Sequence, residues 1–228
     1  MLISEIYESR QGEGRLTGQP SVFVRTSGCN LRCDFCDTPF TSWEPSGETL
    51  GIEDILDRIG RFDAQHVVLT GGEPMLPKEV VELTAAIKKQ GKHITIETAG
   101  TLFRPVSCDL MSISPKLSNS TPDVARAGDW ADRHEKTRHR PDVINQLIQQ
   151  YDCQLKYVVA SRNDIEEIQR HLEQLENWRP ELVLLMPEGV EQAQLEKTQA
   201  WLEPMCDELG FTFCPRKHIE WYGNRRGT

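Results

Sequence analysis

Cys29, Cys33 and Cys36 are the residues whose type and spacing most directly imply chemistry in this chain. Thiolates are the soft ligands that hold iron–sulfur clusters. The arrangement Cys29-x3-Cys33-x2-Cys36 lets one tight loop aim three sulfurs at one small cluster. A fourth cysteine would close such a cluster; three leave one iron open to a ligand that donates nitrogen and oxygen. The same residue types also build structural zinc sites, completed by a fourth cysteine or a histidine. Cys108, Cys153, Cys206, Cys214 or one of the six histidines is available for that role. None lies in a second C-x2-C pair, which zinc ribbons usually show. A redox disulfide would need Cys33-x2-Cys36 in a strand–helix setting, which the neighbouring residues do not offer.

Thr70-Gly71-Gly72-Glu73-Pro74 follows a short apolar run. Paired glycines at a strand end let a ligand lie against the backbone, whose carbonyls can bind the ammonium group of an amino acid. An isolated Gly-Gly is more often a plain strand–turn–helix connection. Its place one helix and one strand beyond the cysteine loop favours ligand binding here. Glu97 ends another apolar run, where a carboxylate lies near any ligand bound at a strand's C-terminal end. A surface acid at a turn is the alternative. Ser114-Pro115-Lys116 ends a third run; Pro115 fixes the exit, and Lys116 is expected to point a cation back across the mouth of the site.

Strands and helices must position these groups. Residues 1–20 read as polar, with Gly12, Gly14 and Gly18 marking turns. Ser21–Ser27 reads as a buried strand feeding the cysteine loop. Helical spacing follows over Ile52–Phe62, then a strand over His66–Leu69 and a helix over Lys78–Gln90 stopped by Gly91. Strands are expected at His93–Ile96 and Asp109–Ile113. Periodicity is lost from Leu117 to Arg140, which reads as a long mobile loop with room for one helical turn. A helix over Val143–Gln150, a strand over Gln154–Val159, a helix from Asn163 and a strand over Leu182–Met186 come next. A helical pattern runs from Val190 to Leu209, with a kink or break expected at Pro204. Phe211–Phe213 reads as a last short strand. This alternation argues for parallel βα units in one layered or barrel-like domain, with the motifs gathered at one rim.

The 228 residues suffice for one sizeable core and a single domain. A net charge of −9 disfavours direct nucleic-acid binding, which needs a basic footprint. Basic patches at Arg133–Arg140 and Arg216–Arg226 are short; the first reads as a solvated loop, and the second suits one small anionic ligand. No apolar run reaches membrane-spanning length and the N-terminus carries no export pattern, so no membrane association is expected. Seven cysteines, an odd number, fit a reducing cytoplasm better than a disulfide framework.

The triplet is the cysteine pattern of the radical S-adenosylmethionine (SAM) superfamily. More narrowly, the N-terminal part resembles the 7-carboxy-7-deazaguanine synthase family. The match is carried by Gln11-Gly12-Glu13-Gly14, Gly18-x-Pro20, Phe23-Val24-Arg25 and Gly28-Cys29-Asn30-Leu31-x-Cys33-x2-Cys36-Asp37-Thr38. It continues through Thr70–Pro74 and Ser114–Lys116 and spans nearly the whole chain, loosest in the middle. The resemblance implies an α/β fold: a radical SAM partial, open parallel β/α barrel with a reduced number of helices. It implies a [4Fe-4S] cluster on Cys29, Cys33 and Cys36, with SAM against Gly72, Glu97, Ser114, Pro115 and Lys116. It implies a lyase that rearranges 6-carboxy-5,6,7,8-tetrahydropterin to 7-carboxy-7-deazaguanine with loss of ammonia, in queuosine and deazapurine biosynthesis. Arg10, Gln11, Gly12, Glu13, Arg25 and Thr70 are then the expected pterin contacts, with Arg25 suited to a bidentate grip on a carboxylate. Thr38 supplies a hard oxygen and is by resemblance a Mg2+ ligand; helix N-capping is its ordinary alternative. An electron donor such as flavodoxin and a homodimer are also implied. The tail Pro215-x2-His218-x2-Trp221-x-Gly223-Asn224 resembles longer members, with Arg216 where glutamine is expected. A radical SAM activase acting on a partner protein, and a non-catalytic zinc or iron–sulfur module, are the competing expectations.

Overall fold

The computed structural model covers residues 1–228. Its first two strands, β1 (Leu2–Arg10) and β2 (Pro20–Thr26), pair antiparallel, with β3 (Glu48–Thr49) outside β1. From β2 the sheet turns parallel through β4 (His66–Gly71), β5 (His93–Thr98), β6 (Leu110–Ile113), β7 (Cys153–Val159), β8 (Val183–Pro187) and β9 (Thr212–Phe213). The strand order β3-β1-β2-β4-β5-β6-β7-β8-β9 leaves β3 and β9 as open edges, so the sheet curls without closing.

Parallel strands need long crossovers, normally helical, and both faces covered. Crossover helices are α2 (Ile52–Ile59), α3 (Val80–Lys89), α6 (Pro141–Gln150), α7 (Asn163–Leu172) and α8 (Gln192–Leu209). Between β5 and β6 there is no helix, only residues 99–109, which is where the expected reduction in helices falls. The core follows from the strand composition: Val67, Val68 and Leu69 in β4 and Val183, Leu184 and Leu185 in β8 are buried on successive positions. Such continuous apolar runs are what strands covered on both faces require. No helix is long and apolar enough to cross a membrane.

Three expectations change. Residues 1–20 are not all turn-like, because β1 occupies Leu2–Arg10; as part of an edge hairpin it is mostly half-buried, so its hydrophobic alternation is weak. The stretch 117–140 is not a long loop. It holds a 3-10 turn (Ser118–Ser120), α4 (Val124–Ala127) and α5 (Asp129–Arg138). The buried positions of α5 are Ala131, His134 and Arg138, so its inner face is largely polar and leaves no apolar stripe to read. Finally, α8 runs unbroken through Pro204. Proline removes one bond to the residue four back; both Pro204 and Ala200 are exposed, so the missing bond falls on the solvent side of the helix.

All parallel strands end at one rim, and the loop after β2 packs there against the end of β4. Gly72 N–H donates to Thr26 O (3.1 Å), Glu73 N–H to Gly28 O (2.9 Å) and Gly28 N–H to Thr41 O (2.8 Å). A Cβ on Gly72 would sit inside contact distance of the Gly28 carbonyl. Gly72→Ala is therefore expected to cost roughly 1–3 kcal/mol through overpacking. Thermal unfolding of the purified variant checks this as a fall of several degrees in Tm.

Candidate active site

A cavity of about 770 Å³ opens at this rim, and Cys29, Cys33 and Cys36 line it as free thiols. Leu31 N–H donates to Cys29 Sγ at 3.4 Å, and Cys36 Sγ lies 3.2 Å from Ser42 Oγ. Burial, with Glu73 adding to it, pushes the Cys29 thiol up to about 12. Burial likewise lifts Cys33 to about 11. Thiols this reluctant to ionise are inert alone, and become thiolates when a cation binds them. No three His, Cys, Asp or Glu side chains converge on a single metal ion. A structural zinc site needs four protein donors on one point. Three free thiols that line one cavity instead fit a multi-iron cluster with one iron left open.

The glycine segment does two jobs. Gly71 and Gly72 line the cavity, yet their missing side chains also make room for backbone, the Thr26 and Gly28 carbonyls, which the sequence reading assigned to a ligand alone. The adjoining Glu73, fully buried, accepts from Met75 N (3.0 Å), Ala99 N (2.9 Å) and Thr98 Oγ1 (2.8 Å). It thereby ties the end of β4 to the end of β5.

Most of the other sequence candidates face the same space. Thr70, Glu97, Ser114 and Lys116 line the cavity; Pro115 does not. Thr70 Oγ1 donates to Glu97 Oε2 at 2.8 Å, which orients that carboxylate. The Lys116 amine does not reach across the mouth. It turns back to donate to Ser114 O (2.7 Å) and Oγ (2.9 Å), satisfying a carbonyl that the strand end leaves open. Arg10 lines the cavity from the exposed end of β1. Gln11 is buried, with its amide nitrogen on Ser21 Oγ at 2.9 Å. The Gly12 carbonyl accepts from Lys217 N at 2.9 Å, so the tail already occupies that backbone acceptor. Thr38 sits at the N-cap position of the short helix α1 (Pro39–Ser42), but its side chain makes no capping bond. Its hydroxyl stays in the cavity, 3.9 Å from Cys36 Sγ.

Arg25 is held at 3.0 Å from Glu5 through Nε and at 2.7 Å from the Tyr7 hydroxyl through Nη2. Burial opposes its charge, but Tyr7 and Glu5 keep its pKa above the usual value. Neither bond uses Nη1, so the guanidinium keeps an outer edge for a ligand.

Sequence reasoning missed a charge network in the wall of this cavity. Lys156 on β7 pairs with Glu13 and lies 3.7 Å from Glu97. Arg216 bonds Glu13 through Nε (3.2 Å), pairs with Asp37 through Nη2 and donates to Gly189 O through Nη1 (2.6 Å). His218 Nδ1 is 3.7 Å from Glu13. Burial alone would push the Glu13 carboxyl up; Lys156 and Arg216 together hold it well below the carboxylate range. The available signal was Lys156 itself, a lone charge inside the apolar strand Leu155-Lys156-Tyr157-Val158-Val159. Arg216, flagged as a departure from the family pattern, was the other.

Glu13 has a folded pKa below its unfolded value, so its ionisation stabilises the fold above the unfolded value of about 4.3. That stability is lost as pH falls through that value towards the folded one. Glu13→Gln is expected to flatten the acid side of the stability profile measured by urea unfolding. Lys156→Met removes one of the two cations that bond Glu13 while Arg216 stays, and is expected to cost about 1.5–3 kcal/mol at neutral pH.

Known proteins complete the picture. The family model described as the Radical SAM superfamily matches residues 23–125. A 7-carboxy-7-deazaguanine synthase of Rhodopirellula baltica is 48% identical over 100% of this chain and 89% of its own length. One from Halobacterium salinarum is 43% identical over 95% of this chain and 88% of its own. The crystal structure of QueE from Escherichia coli superposes with a TM-score of 0.69 at 27% identity, covering 95% of this chain and 94% of that one. With its cysteine loop, open parallel sheet and full-length similarity, this chain belongs to the 7-carboxy-7-deazaguanine synthase family of radical SAM enzymes.

Proposed function

We propose that this radical SAM lyase converts 6-carboxy-5,6,7,8-tetrahydropterin to 7-carboxy-7-deazaguanine with loss of ammonia. The carrying observation is the charge of the cavity. Seven Arg and Lys side chains line it against five Asp and Glu, in a chain whose net charge is −9. A carboxylated small molecule suits that concentration of cations. Arg25 takes the carboxylate on its outer edge, and Glu5 and Tyr7 fix the direction of that edge. Arg10, Gln11, Gly12, Glu13 and Thr70 surround the ring, with Glu13 acting through its backbone and its hold on Lys156.

The family's [4Fe-4S] cluster, held by Cys29, Cys33 and Cys36, and SAM supply the one-electron bond cleavage and hydrogen abstraction when bound. The chain's own part is to orient and to exclude water. Gly72, Glu97 and Ser114 present polar groups beside the cysteine loop, where an amino-acid ligand lies. Pro115, behind the lining, sets the path by which Ser114 and Lys116 reach it. The hydroxyl of Thr38, which accepts only a long bond from Thr41 Oγ1 (3.5 Å), fits Mg2+, a hard cation that keeps several waters and takes few protein oxygens. We place the enzyme in the cytoplasm as a homodimer, reduced by an electron donor such as flavodoxin.

An anaerobic assay of reconstituted protein with SAM, dithionite, Mg2+ and the pterin tests the reading. 7-Carboxy-7-deazaguanine is the expected product, detected by mass. Protein that cleaves SAM yet leaves the pterin unchanged overturns the substrate. Arg25→Lys keeps a charge beside Glu5 but loses the planar fork; kcat/KM is expected to fall roughly 10- to 100-fold, the loss of a charge-assisted hydrogen bond. Thr38→Ala is expected to raise the Mg2+ concentration needed for half-maximal rate.

A further inference from the structure

The loop that carries the three cysteines is pinned from outside by the segment the sequence left without periodicity. Asp34 N–H donates to the Ser120 carbonyl at 2.9 Å. Arg32 N–H donates to His134 Nδ1 at 3.1 Å. These are the two backbone donors on either side of Cys33, and both end on residues 118–138. The Cys33 carbonyl is itself taken by Trp43 Nε1 at 3.0 Å.

The bond from Arg32 fixes the histidine. With Nδ1 accepting, the ring proton sits on Nε2 and donates to Ser120 Oγ at 2.9 Å. Ser120 Oγ in turn donates to Leu117 O at 2.6 Å. His134 and Ser120 are both fully buried. The chain of donors is therefore closed, with no spare group at either ring nitrogen. Burial, reinforced by Arg138, pushes His134 down to about 4, in keeping with a neutral ring. Around this bond the contact is extended by two cation–π pairs: Arg32 over Trp130 (3.9 Å) and Arg126 over Trp43 (4.2 Å).

We propose that His134, with Ser120, is a positioning residue for the iron–sulfur cluster: through the two N–H groups that flank Cys33 it holds the middle cysteine of the loop at its ligating position. The inference rests on the assignment of the cluster to Cys29, Cys33 and Cys36. It gives helix α5 a role in the site, although no residue of α5 lines the cavity. Groups that orient first ligands from outside typically change metal affinity roughly 10- to 100-fold when removed.

The test compares two substitutions of one residue in anaerobically reconstituted protein. His134→Gln reaches Ser120 but has no acceptor at the Nδ1 position. His134→Asn places its amide oxygen near that position and accepts from Arg32 N–H. Cluster release is timed by loss of visible absorbance in excess iron chelator, and the reduced cluster's EPR spectrum is recorded with and without SAM. His134→Gln is expected to release iron roughly 10- to 100-fold faster with an altered spectrum, and His134→Asn to stay near wild type. If Gln matches wild type, or Asn loses the cluster as fast as Gln, the latch is overturned. Should His134→Gln fail to fold, Ser120→Ala removes the acceptor of Nε2–H and is expected to speed release in the same direction; unchanged release overturns the proposal. Wild-type protein that takes up no cluster would instead overturn the cluster assignment, and the latch with it.

Discussion

Glu13 is the constraint on which the rim of this molecule depends. Its carboxylate is largely withdrawn from solvent, and such a carboxylate is tolerated only when paired. The partners are both far from it in sequence: Lys156 from β7 and Arg216 from the C-terminal tail. Arg216 then reaches Asp37, in the cluster loop, and the Gly189 carbonyl after β8. Lys156 also approaches Glu97 at the end of β5, which receives the Thr70 hydroxyl from β4. One charge cluster thus joins the N-terminal loop, the cysteine loop, three strands (β4, β5 and β7), the residues just after β8 and the tail. The open sheet has no hydrogen-bonded closure between β3 and β9, so side chains perform the joining that a closed ladder would otherwise supply.

The same network explains how much of the charge lining the cavity is compensated within its own wall. Glu13 and Asp37 neutralise Lys156 and Arg216, and Glu5 stands behind both Arg25 and Arg226. Charges held by buried partners lose little to reorganisation when a ligand arrives, which is the basis of electrostatic preorganisation. The cysteine loop is fixed on a different principle. Gly28 and Gly72 allow backbone to meet backbone, Glu73 staples β4 to β5, and the Ser120–His134 pair receives the donors around Cys33. These are mostly neutral or internally satisfied hydrogen bonds, suited to a loop whose sulfurs must keep their relative positions whatever the local potential.

Much of this architecture was legible in the chain. The parallel strands are continuous apolar runs, and the crossover helices carry an apolar stripe with a glycine stop, as at Gly91. The cysteine spacing, the glycine pair and the strand-end polar residues pointed to one rim. What escaped detection had a common cause. β1 lies at a half-exposed edge, and α5 turns His134 and Arg138 inward, so neither shows the hydrophobic period that identifies an element. Pro204 was read as a kink or break, and the break does not occur, because sequence does not tell which face of a helix meets water.

The sequence by itself determined the chemistry that is available: three soft sulfur ligands on one loop, a glycine-rich strand end and a cation on the strand that leads into the loop. These are local, because spacing along the chain suffices to place them together. Only the tertiary structure decided which polar groups are free and which are spent. It turned Lys116 back onto Ser114, gave the Gly12 carbonyl to Lys217 and placed Arg216 against Glu13 across almost the whole chain. Those pairings depend on where separate strand ends and the tail converge, and burial then makes each unpaired charge too costly to keep.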